Sequence, residues 1–269
     1  MIRKPAVAGQ FYPSNPESLT KLIAGFGIDK TAHKEKVIAC LLPHAGYTYS
    51  GKVAAEVLSK IEIGDTCVIL GPNHTGYGVP FSIMKEGEWL TPLGSIKIDT
   101  DLSSLIMKNS KYLKEDDMAH VYEHSVEVEL PLIQEISKRD FGLVPIILAS
   151  GGDLVYKDIA FAIATGIQNS KKDVTIIASS DMTHYESQES ANKKDEEAIQ
   201  AMLKLDTQEL LEKIERLDIS MCGYVPAVVS ILAAKMLGAK KAKLIAYQTS
   251  GDVTGDYSAV VGYAGIAIQ

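Results

Sequence analysis

Val68-Ile69-Leu70-Gly71-Pro72-Asn73-His74 is an apolar run that stops abruptly at a glycine, a proline and a histidine. Near-continuous Val/Ile/Leu content of this length reads as a strand covered on both faces, as in parallel sheets flanked by helices. Upstream, Val37-Ile38-Ala39-Cys40-Leu41-Leu42-Pro43-His44 repeats the pattern. Downstream, Val174-Thr175-Ile176-Ile177-Ala178-Ser179-Ser180 leads into Asp181-Met182-Thr183-His184. Three strand-like runs therefore end on side chains able to bind metals or move protons. In an open α/β sheet, ligands sit in the crevice beyond the carboxyl ends of the strands, so such residues converge although distant in sequence.

Outward from these runs, further strand candidates lie at 81–84, 95–98, 141–148, 243–249 and 258–268, with helix-like segments between them. The alternation predicts an α/β fold, a central and mostly parallel mixed sheet flanked by helices on both faces. Asn15 before Pro16 signals one helix start, Asp153 another, and Asp206 with Glu209 forms a capping-box pattern. Gly238 is placed to end an apolar helix over 226–237, which should be buried, while the charged stretch 186–197 reads as a solvated helix. No linker composition interrupts the chain, so residues 1–269 are expected to form a single domain.

At 46% hydrophobic content the chain can bury a large core, and a net charge of −7 without basic clusters argues against nucleic acid or an anionic membrane as partner. A small molecule or peptide is the expected ligand. Three widely spaced cysteines fit free thiols in a reducing compartment, and neither a signal peptide nor a membrane span is apparent, so a cytoplasmic location is expected.

His44 lies in Pro43-His44-Ala45-Gly46-Tyr47, where small residues allow close approach to a ligand. His74 sits in a glycine-flanked loop that lacks the Lys-Ser/Thr of a phosphate-binding loop. Asp181 and His184, three apart, are spaced for the carboxylate to orient the imidazole or for both to face one pocket. Cys222 precedes Gly223 between two helices, whereas Cys40 and Cys67 fall inside apolar strands and read as core residues. His124 would share a face with Glu127 if a helix began near Glu123, and would then reach the pocket; His120 has the weaker claim. Two imidazoles and a thiolate suit one transition metal ion, Zn, Cu or Fe(II), and three protein ligands leave a position open. The segment Ala8–Pro13 or the single tryptophan, Trp89, is a candidate pocket rim.

These landmarks, with Pro5-Ala6-Val7-Ala8-Gly9-Gln10-Phe11-Tyr12-Pro13, Thr91-Pro92-Leu93-Gly94 and Glu123-His124-Ser125-Val126-Glu127, resemble the Memo family over essentially the whole chain. The resemblance implies a fold like that of the class III extradiol dioxygenases, which hold Fe(II) with two histidines and a glutamate. By that likeness His44, His74 and Cys222 are expected to hold the metal, Cys222 standing near the glutamate position. His184 is expected as the acid/base group, with Asp181 beside it and His124 and Tyr47 contacting substrate. Iron- or copper-dependent redox chemistry and a functional link to a radical-SAM protein and a small companion protein are likewise implied. Exchanging carboxylate for thiolate alters metal preference, so ring cleavage does not follow from the fold. A zinc-type hydrolase and a non-catalytic peptide- or metabolite-binding protein are the alternatives.

Overall fold

The computed structural model describes residues 1–29 and 33–269. Its centre is four parallel strands, Ala39–Leu42, Val174–Ser179, Thr66–Pro72 and Gly142–Leu148, hydrogen-bonded in that order. Antiparallel strands extend the sheet on both sides. Val260–Ile268 pairs with Ala39–Leu42 and carries Ala242–Thr249 and the short His184–Glu186, while Phe81–Ile83 joins Gly142–Leu148 on the other side. The expected mixed α/β sheet is therefore present, with its parallel pairings concentrated at the centre.

Strand side chains alternate between two cores. Leu41, Val68, Leu70, Val144, Ile146 and Ile176 face helices Thr100–Asn109, Asp153–Ser170, Gln188–Leu203, Thr207–Leu217 and Tyr224–Met236. Cys40, Leu42, Cys67, Ile69, Leu143 and Ile177 face helices Pro16–Ala24, Tyr47–Lys60 and Glu129–Ser137. The thiols of Cys40 and Cys67 are wholly buried, as their place in apolar strands predicts.

Local signals account for several helix starts. Asn15 accepts the Ser18 N–H, and Asp206 accepts those of Gln208 and Glu209, each satisfying donors that the helix leaves open. The capping box is half formed, because Glu209 turns instead to Lys204 and Lys213. Asp153 lies in the first helical turn, one residue past the cap position at Gly152. The segment near 95–98 is a strand, Gly94–Lys97, but it belongs to a separate three-stranded sheet with Glu88–Thr91 and Ile2–Arg3. That small sheet anchors the amino-terminal segment beside the site. Among the described residues, no helix is long and apolar enough to cross a membrane.

Candidate metal centre

Parallel strands end on a common edge, so the loops after Leu42, Pro72 and Ser179 open into the same crevice. His44, His74 and Cys222 each offer one ligand atom there, all within 4.8 Å of one another. The Cys222 sulfur stands 3.3 Å from His44 Nε2. It reaches this position because Gly223 N–H donates to Ser180 Oγ at 3.0 Å and a Cβ at Gly223 would collide with the Ser179 carbonyl. A glycine after Cys222 is thus a steric requirement.

Both imidazoles are held through Nδ1. His44 Nδ1 lies 2.8 Å from Ser179 Oγ, and His74 Nδ1 lies 2.9 Å from Glu123 Oε1. With Nδ1 engaged, each ring has Nε2 as its remaining donor atom, the pattern seen where a hydrogen-bond partner orients a metal-binding histidine. Glu123 is missing from the sequence-based site, yet it binds the loop twice, since its Oε2 also accepts the His74 N–H at 2.7 Å. Burial would raise the Glu123 carboxyl. Hydrogen bonding and charge from His74, with His124 and the Ser125 N–H, outweigh that and hold it at about 2.

His124 enters the same crevice. Its ring stacks on His74 at 4.7 Å and meets His44 edge-on at 5.4 Å. The route differs from the expected one, because the helix begins at Glu129 rather than near Glu123. His124 therefore sits in a turn, and Glu127 is engaged in a buried ion pair with Arg3. That guanidinium also donates to the carbonyls of His120 and Glu123, at 3.0 and 2.7 Å, and lies over Trp89. The turn carrying Glu123 and His124 is thereby tied to the amino-terminal segment.

Asp181 lies at the site, but it does not orient His184. Its Oδ1 accepts the backbone N–H of His44 at 2.9 Å and of Ala45 at 3.3 Å, fixing the loop that enters helix Tyr47–Lys60. Burial pushes its carboxyl up to about 7, against the pull of those two donors. His184 is held by Ser220 instead: its N–H donates to Ser220 Oγ at 2.7 Å and its Nδ1 to the Ser220 carbonyl at 2.9 Å. Its Nε2 remains available. Burial, reinforced by the neighbouring imidazoles His124, His74 and His184, holds His44 well below the usual histidine range, so it is neutral. Burial likewise raises the Cys222 thiol, with Asp181 adding to the effect. Metal binding reverses that preference, because a coordinating thiol loses its proton.

Two expectations are corrected. Tyr47 does not face the crevice: it is wholly buried in the second core and its hydroxyl donates to the Val128 carbonyl at 2.7 Å. As the first residue of its helix it enters the core, while His44 three residues earlier, also buried, faces the Cys222 sulfur. Trp89 is also fully buried, against Arg3 and His120, and forms no rim. His120 is structural, with its Nε2 2.9 Å from Ser82 Oγ. Ala8–Pro13 does contribute, through Gln10 and Phe11, to a cavity of about 590 Å³ that also meets Tyr49, His124, Asp181 and His184.

An α/β sheet with imidazole and thiol donors gathered beyond its central strands defines the class of this protein. A family model described as "Memo-like protein" matches residues 3–267. A MEMO1 family protein of Aquifex aeolicus is 47% identical over 268 residues, covering 98% of both chains. One of Methanosarcina acetivorans is 42% identical, covering 100% of this chain and 99% of its own. The chain belongs to the Memo family. An uncharacterized protein of Escherichia coli K12 shares the fold, with a TM-score of 0.55 and 12% identity over 85% of this chain and 98% of its own.

Proposed function

We propose that this Memo-family chain is a metal-dependent redox enzyme in which His44, His74 and Cys222 hold one iron or copper ion. One observation carries the reading: three nitrogen and sulfur donors from separate loops lie within 4.8 Å, with both imidazoles held through Nδ1. Soft thiolate with imidazole suits Cu, Fe or Zn and disfavours Mg or Ca. Once bound, such an ion would supply electron transfer to or from a substrate in the adjoining cavity.

The protein's own groups do the rest. His184, with Nδ1 committed to Ser220, presents Nε2 for proton transfer at the cavity wall. Asp181 positions the His44 loop. Phe11, Tyr49 and Tyr263 supply ring surfaces, and no lysine or arginine is among the lining residues. Recognition of a small molecule or peptide side chain would therefore rest on ring packing and hydrogen bonds from His124 and Gln10.

Elemental analysis of protein purified without chelator, repeated on His44→Ala and Cys222→Ala, tests the assignment. One equivalent of iron or copper, lost in both variants, is expected. Stoichiometry untouched by either substitution would end the metal assignment, and bound zinc without redox activity would replace the redox reading with a hydrolytic one.

A further inference from the structure

Behind His44 lies a buried polar cluster that the proposed chemistry does not use. Ser179 Oγ has three close neighbours: the Ser125 carbonyl at 2.6 Å, His44 Nδ1 at 2.8 Å and Glu129 Oε1 at 3.0 Å. Glu129 and Ser179 are both wholly buried. Among the described residues, Glu129 Oε2 has no hydrogen-bond partner.

A hydroxyl has one hydrogen and two lone pairs. The Ser125 carbonyl can only accept, and 2.6 Å is the distance of a made O–H···O bond, so the Ser179 hydrogen is spent there. Its two lone pairs then face His44 Nδ1 and Glu129 Oε1, and each contact holds only if the neighbour brings a hydrogen. An ionised Glu129 would set lone pair against lone pair at 3.0 Å and leave a dry carboxylate without a cationic partner.

We propose that Glu129 is a neutral carboxylic acid which donates to Ser179 and thereby holds His44 as the Nδ1–H tautomer, its Nε2 lone pair facing the Cys222 sulfur. Glu129 acts here as a positioning residue. Its proton keeps the Ser179 hydroxyl turned toward Ser125, leaving that oxygen as an acceptor for His44. Desolvation by burial favours the neutral acid, and the nearby Asp181 carboxyl adds to it. The tautomer follows from hydrogen bonding alone, whereas its value for metal binding rests on the reading of the site above.

Two measurements on the full chain treated with chelator decide the hydrogen bonding. The infrared difference between wild type and Glu129→Gln near neutral pH should show loss of a protonated carboxyl band. Long-range proton–nitrogen NMR should place the His44 proton on Nδ1 in both proteins, since the glutamine amide can also donate. A carboxylate band in place of the acid band, or a His44 proton on Nε2, overturns the proposal. Titration with Co(II) then tests the consequence: Glu129→Gln should bind as wild type does, and Glu129→Leu should bind roughly 10- to 100-fold more weakly. Equal weakening in both variants would overturn the positioning role. If Glu129→Leu fails to fold, the Glu129→Gln spectra still decide. Failure of wild-type Co(II) binding would count against the metal site alone, because the infrared and NMR results do not depend on it.

Discussion

Arg3→Met should unfold this protein far more readily than its place near the chain's start suggests. Arg3 and Glu127 form an ion pair at 1% and 0% side-chain exposure. Glu127 also accepts the Ala6 N–H at 2.7 Å, the Val7 N–H at 3.0 Å and the Tyr12 hydroxyl at 2.6 Å. Removing the guanidinium leaves a buried carboxylate with neutral donors only, and breaking a buried pair from one side costs about 3–5 kcal/mol. The lost contact with Trp89, 4.3 Å from the guanidinium carbon to the ring centroid, adds roughly 1–2 kcal/mol. At roughly 2–4 °C per kcal/mol for large domains, the thermal midpoint should fall by about 10 °C or more. Calorimetry reads this directly. The double variant Arg3→Met/Glu127→Gln should recover part of the loss, since the uncompensated charge is gone. A midpoint lowered by less than about 2 °C, or no recovery in the double variant, would refute the assignment of that energy to the pair.

Four further outcomes are expected. Cys222→Ala should abolish the near-ultraviolet thiolate absorption of the Co(II) complex; its persistence would remove the sulfur from the site. Glu123→Gln should weaken Co(II) binding by roughly 10- to 100-fold by loosening His74, and unchanged affinity would show that the carboxylate does not orient that ring. Tyr47→Phe should cost about 0.5–1.5 kcal/mol in chemical denaturation without changing metal affinity, whereas weakened substrate or metal binding would restore Tyr47 to the cavity. Acid should destabilise the metal-free chain through groups that include Glu123 and His120. Glu123, at about 2 when folded against 4.5, contributes stability present above pH 4.5 and lost as pH falls toward 2, in total about 3 kcal/mol. His120, held near 3 mainly by burial, stays neutral in the fold while the unfolded chain takes up a proton, so stability also drops from pH 6.5 downward. Asp181 opposes this between pH 7 and 3.8, because its folded carboxyl binds the proton first. Denaturation midpoints in Glu123→Gln should lose the component between pH 4.5 and 3, and an unchanged slope would contradict it.

The central strands were legible because burial on both faces leaves a continuous apolar run, and all four parallel strands have that composition. Strand-end histidines were legible for the same reason: a polar residue closing such a run must emerge at the sheet's edge. Helix phase was not. Tyr47 shares a short motif with His44 yet points into the core, and no spacing rule within five residues separates the two directions. The spacing of Asp181 and His184 suggested contact, but Asp181 turns back to the His44 backbone and His184 pairs with Ser220. In the sequence Glu123 marks only a possible helix start, and nothing singles out Glu129. Their tasks arise from a turn that Arg3 fastens from more than a hundred residues away, and no local pattern carries that information.

The two glutamates support their histidines in opposite electrical states, and the contrast bears on charge balance in the crevice. Glu123 stands behind His74, surrounded by backbone N–H groups and imidazoles, and its carboxyl is held near 2. Glu129 stands behind Ser179, and burial drives its carboxyl well above the usual range. Environments that push two like groups apart in this way commonly separate their roles. If the proposed metal binds and Cys222 gives up its proton, an ionised Glu123 and that thiolate would bring two negative charges to the donor cluster, matching a divalent cation. A third charge on Glu129 would have to be buried without a partner, at a cost of several kcal/mol. Under the proposed ligand set, a thiolate at Cys222 would carry the same charge as a carboxylate while being softer, which would favour softer ions at unchanged charge balance.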